Sequence, residues 1–233
     1  MNLDRQTVVR AALRLLNEVG LDGLTVRRLA GDLGVQAPAL YWHFKNKQEL
    51  LNEMATTVFA DAIRESSLPS KDATWSDWAF EHGKWVRQVL LRYRDGARMF
   101  SGRYLTDSTL FDAMENALRK VTDAGFSLRD ATLFLNTIYC YVVGFTIEEQ
   151  AVYPRPGKRS KHYDLAKRAK RIDSKKFPLA VAAGEHAFLD FAERFEQGLR
   201  LIIKGLRPGP AGGGNVIDSA NVGGIQLARD SDH

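Results

Sequence analysis

Two short segments near the amino terminus carry the residue types that a pair of steeply crossing helices requires. Such a pair needs a small residue at the crossing, a residue that tolerates positive φ in the turn, and a large apolar residue on the second helix. Ala30, Gly34 and Leu40 meet these needs. The outer face then holds a mostly basic and polar set: Arg27, Arg28, Gln36, Ala37, Ala39, Tyr41, His43, Lys45 and Lys47. An ordinary helical hairpin has the same spacing, so the pattern alone only indicates a candidate DNA-binding surface.

Aromatic residues crowd the second part of the chain at helical spacing. They can line a ligand cavity or form an ordinary core. The set comprises Trp78, Trp85, Phe100, Tyr104, Phe111, Phe134, Tyr139, Tyr141 and Phe145. An enzyme could use a buried polar cluster such as His82 and Glu148, but the sequence has no nucleophile elbow, phosphate loop, paired metal-ligand motif or cofactor fingerprint. We therefore expect binding, not catalysis.

Length and composition limit the class of protein. The chain has 233 residues, of which 45% are apolar and 26% charged, which suits one large domain or two small ones and excludes wholesale disorder, collagen and a coiled-coil rod. One cysteine, Cys140, excludes an intramolecular disulfide, and a zinc cluster would need ligands from five scattered histidines. The amino terminus lacks the small-residue cleavage site of a signal peptide. A reducing, cytoplasmic compartment fits these features.

Positive charge is concentrated in residues 154–177, which we call the basic segment. It holds ten basic and two acidic residues, a local charge of +8 in a chain of net charge +5. Such a stretch could bind DNA without specificity, contact an acidic effector, or form a solvated loop. The composition alone leaves these alternatives open.

Helical periodicity dominates and no alternating strand-type run is present, so the predicted fold is all-α. The predicted helices span 4–20, 25–34, 36–44, 46–65, 75–92, 107–124, 127–153, 163–171 and 184–206. Asn46 with Glu49, and Ser127 with Asp130, have the spacing of helix caps. The nearly apolar run 131–147 is 17 residues long. Since a membrane span needs about 20 apolar residues, we interpret it as a buried helix.

Residues 24–51, LTVRRLAGDLGVQAPALYWHFKNKQELL, resemble the DNA-binding segment of tetracycline-repressor (TetR) family regulators, and LYWHFKNKQELL is close to that family's signature. Residues 3–23 match the first helix, and 75–96 end in a similar RDGA stretch. Residues 126–150 and 188–206 resemble the effector domain of the tetracycline repressors themselves. The basic segment and the tail lie outside the resemblance.

The resemblance implies a division of the chain into four parts. Residues 1–47 form a three-helix, helix-turn-helix DNA-binding domain, and 48–65 form a connecting helix. The polar segment 66–74 is the best internal boundary. Residues 75–206 form a larger helical effector-binding and dimerisation domain, and the Gly-rich residues 207–233 form a tail that we expect to be mobile.

The resemblance also assigns DNA contacts. Residues 36–44 become the recognition helix in the major groove, where Arg27 pairs with guanine and Gln36 bonds a base edge. Ala37, Pro38 and Ala39 offer apolar contact to thymine methyl groups, whereas Tyr41, His43 and Lys47 hold phosphates. We expect Trp42 to be buried and Tyr41 exposed. Polar base-reading residues are usual at the positions of Ala37 and Ala39, so the operator should differ from that of the tetracycline repressors.

In tetracycline repressors, the resemblance implies, the drug arrives as a magnesium chelate held by a histidine after the RDGA stretch and by acidic and histidine groups on the long helix. Here Phe100 and Cys140 stand at the histidine positions, and Glu148 is retained. A phenyl ring cannot coordinate a hard cation, so we expect no metal or other cofactor and a large aromatic effector of little charge. The candidate wall residues by position are Ile63, His82, Val86, Phe100, Arg103, Tyr104, Asn116, Leu135 and Glu148.

The expected function is a ligand-responsive transcriptional regulator of the repressor type. A homodimer would read a palindromic operator, with helices near 127–153 and 184–206 pairing in a four-helix bundle, and a small-molecule effector would release it. The alternative that these helices pack only within one subunit stays open. The basic segment should lie beside the effector cavity, away from the operator, and no membrane partner is expected. Competing hypotheses are a ligand-binding or scaffolding protein with nonspecific DNA binding, suggested by Ala37 and Ala39, and an enzyme using His82 and Glu148.

Overall fold

The structure, a computed structural model, describes residues 3–65, 73–104 and 107–206. Its helices are α1 (Arg5–Gly23), α2 (Val26–Asp32), α3 (Ala37–Tyr41), α4 (Lys47–Glu65), α5 (Trp75–Leu91), α6 (Gly96–Phe100), α7 (Thr109–Thr122), α8 (Leu128–Val152), α9 (Leu165–Arg171), α10 (Pro178–Phe188) and α11 (Phe191–Lys204). A 3-10 turn covers Lys161–Tyr163. Apart from an isolated bridge between Arg155 and Lys158, these ranges contain no β-structure. The all-α prediction is confirmed.

Local side-chain caps set several helix starts where the sequence indicated them. Thr25 accepts from the Arg28 amide at 3.2 Å, and Ser127 accepts from the Asp130 amide at 3.1 Å. At α4 the Asn46 side chain accepts from the Glu49 amide at 2.9 Å, as predicted. These caps satisfy amides that have no partner inside their own helix.

The carboxyl-terminal helix differs from the prediction. Instead of one helix over 184–206, α10 ends at Phe188 and α11 begins at Phe191, because Asp190 adopts a left-handed conformation with φ of 48°. Arg194 donates to the Ala187 carbonyl at 2.6 Å, and Arg159 donates to the Phe188 carbonyl. The break is therefore stabilised by arginines that pair the last carbonyls of α10.

Helix α8 is the centre of the larger domain and packs against α5, α6, α7 and α11. Phe134, Ile138 and Val142 on α8 are buried in one cluster with Phe195 and Leu199 of α11. Within the described ranges it is the one helix long and apolar enough, by length and composition, to cross a membrane. One face of α8 is buried in this core, whereas Leu133 and Tyr139 on its other face are exposed, so the run 131–147 is only partly the buried helix that was predicted.

Two predicted features fall outside the described residues. Most of the predicted linker 66–74 and all of the tail 207–233 lie there. The division at this linker and the mobility of the tail stay predictions.

Candidate DNA-binding surface and effector region

Helices α1, α2 and α3 form a small head whose buried residues belong to the same apolar core as those of the larger domain. Ala30 is buried at the α2–α3 crossing, Gly34 has a φ of 67°, and Leu40 is buried on α3, so the three residues occupy the positions that their spacing predicts. The turn is closed by the Val35 amide, which donates to the Ala30 carbonyl at 3.0 Å. The residues between the buried positions must therefore lie on the outer face.

The predicted DNA-contacting residues share this outer face but differ in exposure. Helix α3 is shorter than the predicted 36–44, with Gln36 as its N-cap and Pro38 in its first turn. Ala37 packs partly against the core, which limits its reach towards a base. The exposed residues are Arg27, Gln36, Pro38 and Tyr41, and the half-buried ones are Ala37, Ala39, His43 and Lys47.

Trp42 corrects one prediction. It is 88% exposed, whereas the sequence analysis placed it in the core, and Tyr41 is 53% exposed as expected. Leu40 and Phe44 both point inward, so at 100° per residue Trp42 falls opposite their midpoint. The positions of those two apolar residues could have revealed this. The outer face therefore carries two adjacent aromatic rings.

Arg5 on α1 fixes the end of the recognition helix. Its guanidinium donates to the His43 carbonyl and to Glu49 at 3.1 Å, and it lies 4.3 Å from the centre of the Phe44 ring. The Lys45 amide donates to Glu49 at 2.8 Å. These hydrogen bonds lower the pKa of Glu49, the Lys45 amide contributing most. The sequence does not predict this positioning role, because the partners of Arg5 are 38 to 44 residues away along the chain.

The ammonium group of Lys47 can bind a backbone carbonyl of the head and an anion at the same time. Its Nζ donates to the Leu21 carbonyl at 3.3 Å, at the end of α1. A lysine has three donors, so this contact leaves two for a phosphate oxygen.

The turn between α5 and α6 joins the head to the larger domain. Asp95 accepts from the Leu21 amide at 2.9 Å, and Arg94 donates to the Glu18 carbonyl at 2.8 Å. Arg98 forms a surface ion pair with Asp22 at 3.0 Å. These contacts attach the last turn of α1 to the start of α6.

Gln150 on α8 holds the same turn from the other side. Its Oε1 accepts from the Ala97 amide at 3.1 Å, and its Nε2 donates to the carbonyls of Leu90 and Tyr93 at 3.3 and 2.8 Å. One buried amide thus caps the end of α5 and the start of α6. The turn is therefore fixed to both α1 and α8.

A chain of aromatic rings crosses the effector region. Phe59 of α4 stacks on Phe100 of α6 with centroids 4.2 Å apart and meets Trp85 of α5 edge-on at 5.9 Å. His82 lies between Trp78 and Trp85, at 4.9 and 5.7 Å. We call these five residues the ring cluster. It brings together two of the predicted ligand residues, His82 and Phe100.

Burial lowers the pKa of His82 from 6.5 to about 4. The charged form loses hydration between two indole rings, and among the described residues no carboxylate offsets that loss. At neutral pH the ring cluster is therefore uncharged.

The other predicted ligand residues lie in different surroundings. Glu148 lines a cavity of about 360 Å³ between α8 and the α10–α11 junction, together with Phe145 and Arg194. This cavity is on the face of α8 opposite Leu135, so the predicted set does not line one site in a single chain. The remaining residues are buried Val86, half-buried Ile63, Leu135 and Arg103, and exposed Tyr104 and Asn116.

Comparisons with known proteins agree with this arrangement. Residues 8–54 match "Bacterial regulatory proteins, tetR family", and residues 68–208 match "Tetracyclin repressor-like, C-terminal domain". The chain is 42% identical over 204 residues to the class A tetracycline repressor protein of Escherichia coli transposon 1721, covering 88% of this chain and 90% of that protein.

The chain belongs to the TetR family of bacterial transcriptional regulators. Its predicted resemblance to the tetracycline repressors, in head and effector domain alike, is confirmed.

Solved TetR-family structures have the same fold. A possible regulator from Streptomyces coelicolor superposes with a TM-score of 0.76 at 36% identity, covering 88% of this chain and 98% of that one. The class A TetR in complex with 5a,6-anhydrotetracycline and magnesium superposes with a TM-score of 0.62 at 36% identity, covering 87% and 97%.

The side chains of this family member do not fit a magnesium ion at the ring cluster. Phe100 is buried and stacked on Phe59, where an oxygen or nitrogen ligand would be required. Cys140 and Glu148 line the cavity on the opposite face of α8. Within residues 3–65, 73–104 and 107–206, no group of three His, Cys, Asp or Glu side chains could hold a metal ion.

Proposed function

We propose that this TetR-family regulator is a repressor that binds a palindromic operator as a homodimer and is released by a metal-free aromatic effector. The observation that carries the proposal is the direct contact between the ring cluster and α4. The Phe59 ring belongs to the helix that enters the head, and its stacking partner Phe100 belongs to α6. A ligand that separates these two rings therefore acts on both elements that support the head.

The expected effector is a planar aromatic compound of little charge. A neutral His82 between two indoles offers stacking surface and one hydrogen-bonding group but no positive charge. Phe100 replaces a metal ligand with a further aromatic surface. The absence of oxygen ligands at this ring favours direct contact over a magnesium chelate as the binding mode.

The release mechanism requires differential affinity. Only an effector that binds the DNA-incompetent arrangement more tightly can shift the population, and a change from 1:99 to 99:1 needs about 5.5 kcal/mol in total. Tilting of α4 would alter the spacing of the two recognition helices from the roughly 34 to 36 Å that successive major grooves require. The Asp95 and Arg94 contacts with the end of α1 would transmit movement of α6 to the same head.

The proposed dimer uses α8 and α11. Leu201 on α11 is 72% exposed, and Leu133 on α8 is 61% exposed. Cys140 and Gly144 continue the exposed face of α8, and their small side chains permit close approach of a second helix. Two copies related by a dyad would cover these apolar residues and place two recognition helices on one face.

The proposed location is the cytoplasm, with α8 as a core helix and no membrane partner. We also propose that the protein acts by binding alone. Incubation of the purified protein with its effector, followed by mass spectrometry of the compound, should return the effector unchanged. Conversion of more than one molecule of the compound per protein molecule would contradict this part of the proposal.

Selection of DNA from a random double-stranded library by the purified protein tests the function. Sequencing should recover a palindrome with half-sites about one helical turn apart, and anisotropy across a salt series should give its affinity. Enrichment of no sequence by a folded dimer, with a steep salt dependence on every duplex, would support the nonspecific binding protein instead.

Two substitutions separate base reading from phosphate binding. Arg27→Ala should cost about 1 to 3 kcal/mol on the selected operator and relax the preference at one base pair, since it removes a bidentate guanine contact. Tyr41→Ala should weaken binding to selected and random DNA alike. Equal losses on both DNAs for Arg27→Ala would refute its assignment.

A further inference from the structure

The basic segment presents most of its positive charge to solvent. Two of its ten cations turn inward: Arg159 donates to the Tyr153 hydroxyl at 2.8 Å and to the Tyr163 carbonyl at 3.0 Å, and Arg168 donates to the Ala180 carbonyl at 3.0 Å. The other eight are exposed: Arg155, Lys158, Lys161, Lys167, Lys170, Arg171, Lys175 and Lys176. The inward pair fixes the backbone, so the exposed charges are held on an ordered surface.

The two carboxylates of the segment are used by its own backbone. Asp164 accepts from the Lys167 amide at 3.0 Å as the N-cap of α9. Asp173 accepts from the amides of Lys175 and Lys176 at 2.9 and 3.2 Å. Neither carboxylate forms an ion pair with an exposed cation of the segment among the described contacts. The surface therefore keeps its positive potential.

The start of the segment contacts α1 of the DNA-binding head, whereas the family resemblance places the segment away from the operator. The Arg155 guanidinium donates to the Glu18 carbonyl at 3.1 Å, at the end of α1. Three residues further along α1, the Leu21 carbonyl accepts from Lys47, a predicted phosphate contact. Lys158 lies next to Arg155, because a bridge pairs these two residues across Gly157. Helix α1 is kinked between these two carbonyls, because Gly20 has a φ of 74° and a ψ of 175°, so Arg155 and Lys47 contact α1 on either side of the kink.

The rest of the segment stays at this end of the larger domain. Tyr163 packs on Phe188 with ring centroids 5.6 Å apart, and Tyr153 packs on Phe191 at 5.9 Å. These contacts are at the carboxyl end of α8, where Gln150 holds the α5–α6 turn against the head. The segment therefore follows the end of α8 at which the α5–α6 turn meets the head, and Arg155 makes its contact with the head.

We infer that the basic segment is a second DNA-contacting surface, which binds backbone phosphates alongside the reading head. The inference rests on the proposed function, since it requires that the head bind DNA. Exposed cations without carboxylate partners, close to a DNA-binding head, can neutralise the phosphates of a duplex. The same cations provide no apolar surface for an uncharged aromatic effector to bind. Contacts of this kind add affinity without reading sequence.

The test compares wild type with the triple variant Lys158→Gln/Lys161→Gln/Lys170→Gln on the operator duplex recovered by selection. Each phosphate contact contributes about 0.9 to the slope of log K against log salt. Loss of two to three contacts per protomer, or four to six per dimer, should lower the slope by about 3.6 to 5.4. Between 0.05 and 0.2 M salt, the affinity of the wild type should then fall about 150- to 1,800-fold more than that of the variant.

The matched comparison is between the single variants Lys158→Gln and Arg119→Gln, each of which removes one exposed cation per protomer. Arg119 is in the last turn of α7, just before the start of α8, whereas Lys158 follows the end of α8. Lys158→Gln should lower the slope by about 1.8, because a dimer loses two contacts, and the control Arg119→Gln should keep the wild-type slope. Circular dichroism checks that each variant folds, and Lys158→Gln alone tests the inference if the triple variant does not fold.

The outcomes separate the two levels of the proposal. A wild type that binds no DNA overturns the proposed function and this inference with it. A wild type that binds its operator, with an unchanged slope in the triple variant or an equal change in the control, overturns this inference alone. Unchanged DNA binding with lost binding to phosphatidylserine vesicles would assign the surface to lipid and also overturn it.

Discussion

Gln150→Leu should destabilise the protein by disconnecting the turn that joins head and larger domain. Gln150 is 6% exposed and makes three hydrogen bonds to backbone atoms of the α5–α6 region. Leucine fills a similar volume but pairs none of these atoms. The Ala97 amide and the carbonyls of Leu90 and Tyr93 then lose a partner inside the protein.

The size of the effect follows from those three atoms. A hydrogen bond contributes a net 0.5 to 1.5 kcal/mol on average, and a buried group left without a partner costs about 1 to 3 kcal/mol. The hydrogen bond to the Leu90 carbonyl is the longest of the three, at 3.3 Å, and Leu90 is itself part of α5. We therefore assign most of the loss to the bonds with the Ala97 amide and the Tyr93 carbonyl. The expected decrease in the free energy of unfolding is about 3 kcal/mol.

Urea unfolding at one fixed protein concentration measures this change, because the stability of a dimer depends on concentration. The exposed Gln48→Leu, which removes only a surface contact with Asn52, is the matched control and should change stability by less than about 0.5 kcal/mol. Hydrogen exchange at the Ala97 amide should accelerate in Gln150→Leu. A loss below about 1 kcal/mol with unchanged exchange at Ala97 would refute the assigned role.

Three further changes test other parts of the structure. Gly20→Ala should cost about 2 kcal/mol in urea unfolding and expose the end of α1 to proteolysis, since φ is 74° and a Cβ would lie 2.7 Å from Asp95; undiminished stability would contradict it. Arg87→Met should cost about 3 kcal/mol by leaving the Glu149 carboxylate unpaired, and Arg87→Met/Glu149→Leu should recover much of that; a double variant as unstable as the single one would argue against it. The pKa of His82 is lowered from 6.5 to about 4 in the folded protein, so the unfolded chain takes up a proton first as the pH falls and stability is lost between these two values. On going from neutral pH to pH 5, the wild type should therefore lose about 1 to 2 kcal/mol more stability than His82→Phe. Parallel curves of stability against pH for the two proteins would exclude the effect.

Local chemistry made much of the fold predictable. Helix starts at Thr25, Asn46 and Ser127 depend on a side chain within three residues of the amide that it caps, so the sequence contains all the information needed. The same holds for the head, where Ala30, Gly34 and Leu40 lie close together in the chain. These short-range rules identified the outer face and, through the resemblance, the family.

Trp42 shows where residue type misleads. A large aromatic residue favours burial on average, but its direction is set by neighbours that occupy the interior, here Leu40 and Phe44. The expectation that Trp42 is buried fails because Leu40 and Phe44 already occupy the inward positions of this helix. The helical period, with Leu40 and Phe44 on the inner face, places Trp42 on the outer face. The prediction gave more weight to the average preference of tryptophan for burial.

The break between α10 and α11 and the place of the basic segment depend on partners far away in sequence. Arg159 reaches the Phe188 carbonyl across 29 residues, and Arg155 reaches the Glu18 carbonyl across 137. Composition showed that the segment is basic, and only these contacts place it beside the head. The sequence by itself determined the all-α class, most helix starts and the family, because periodicity, caps and motifs are short-range. The tertiary structure alone decided which helix ends, rings and charges meet, because a side chain pairs with whichever atom packing brings within reach.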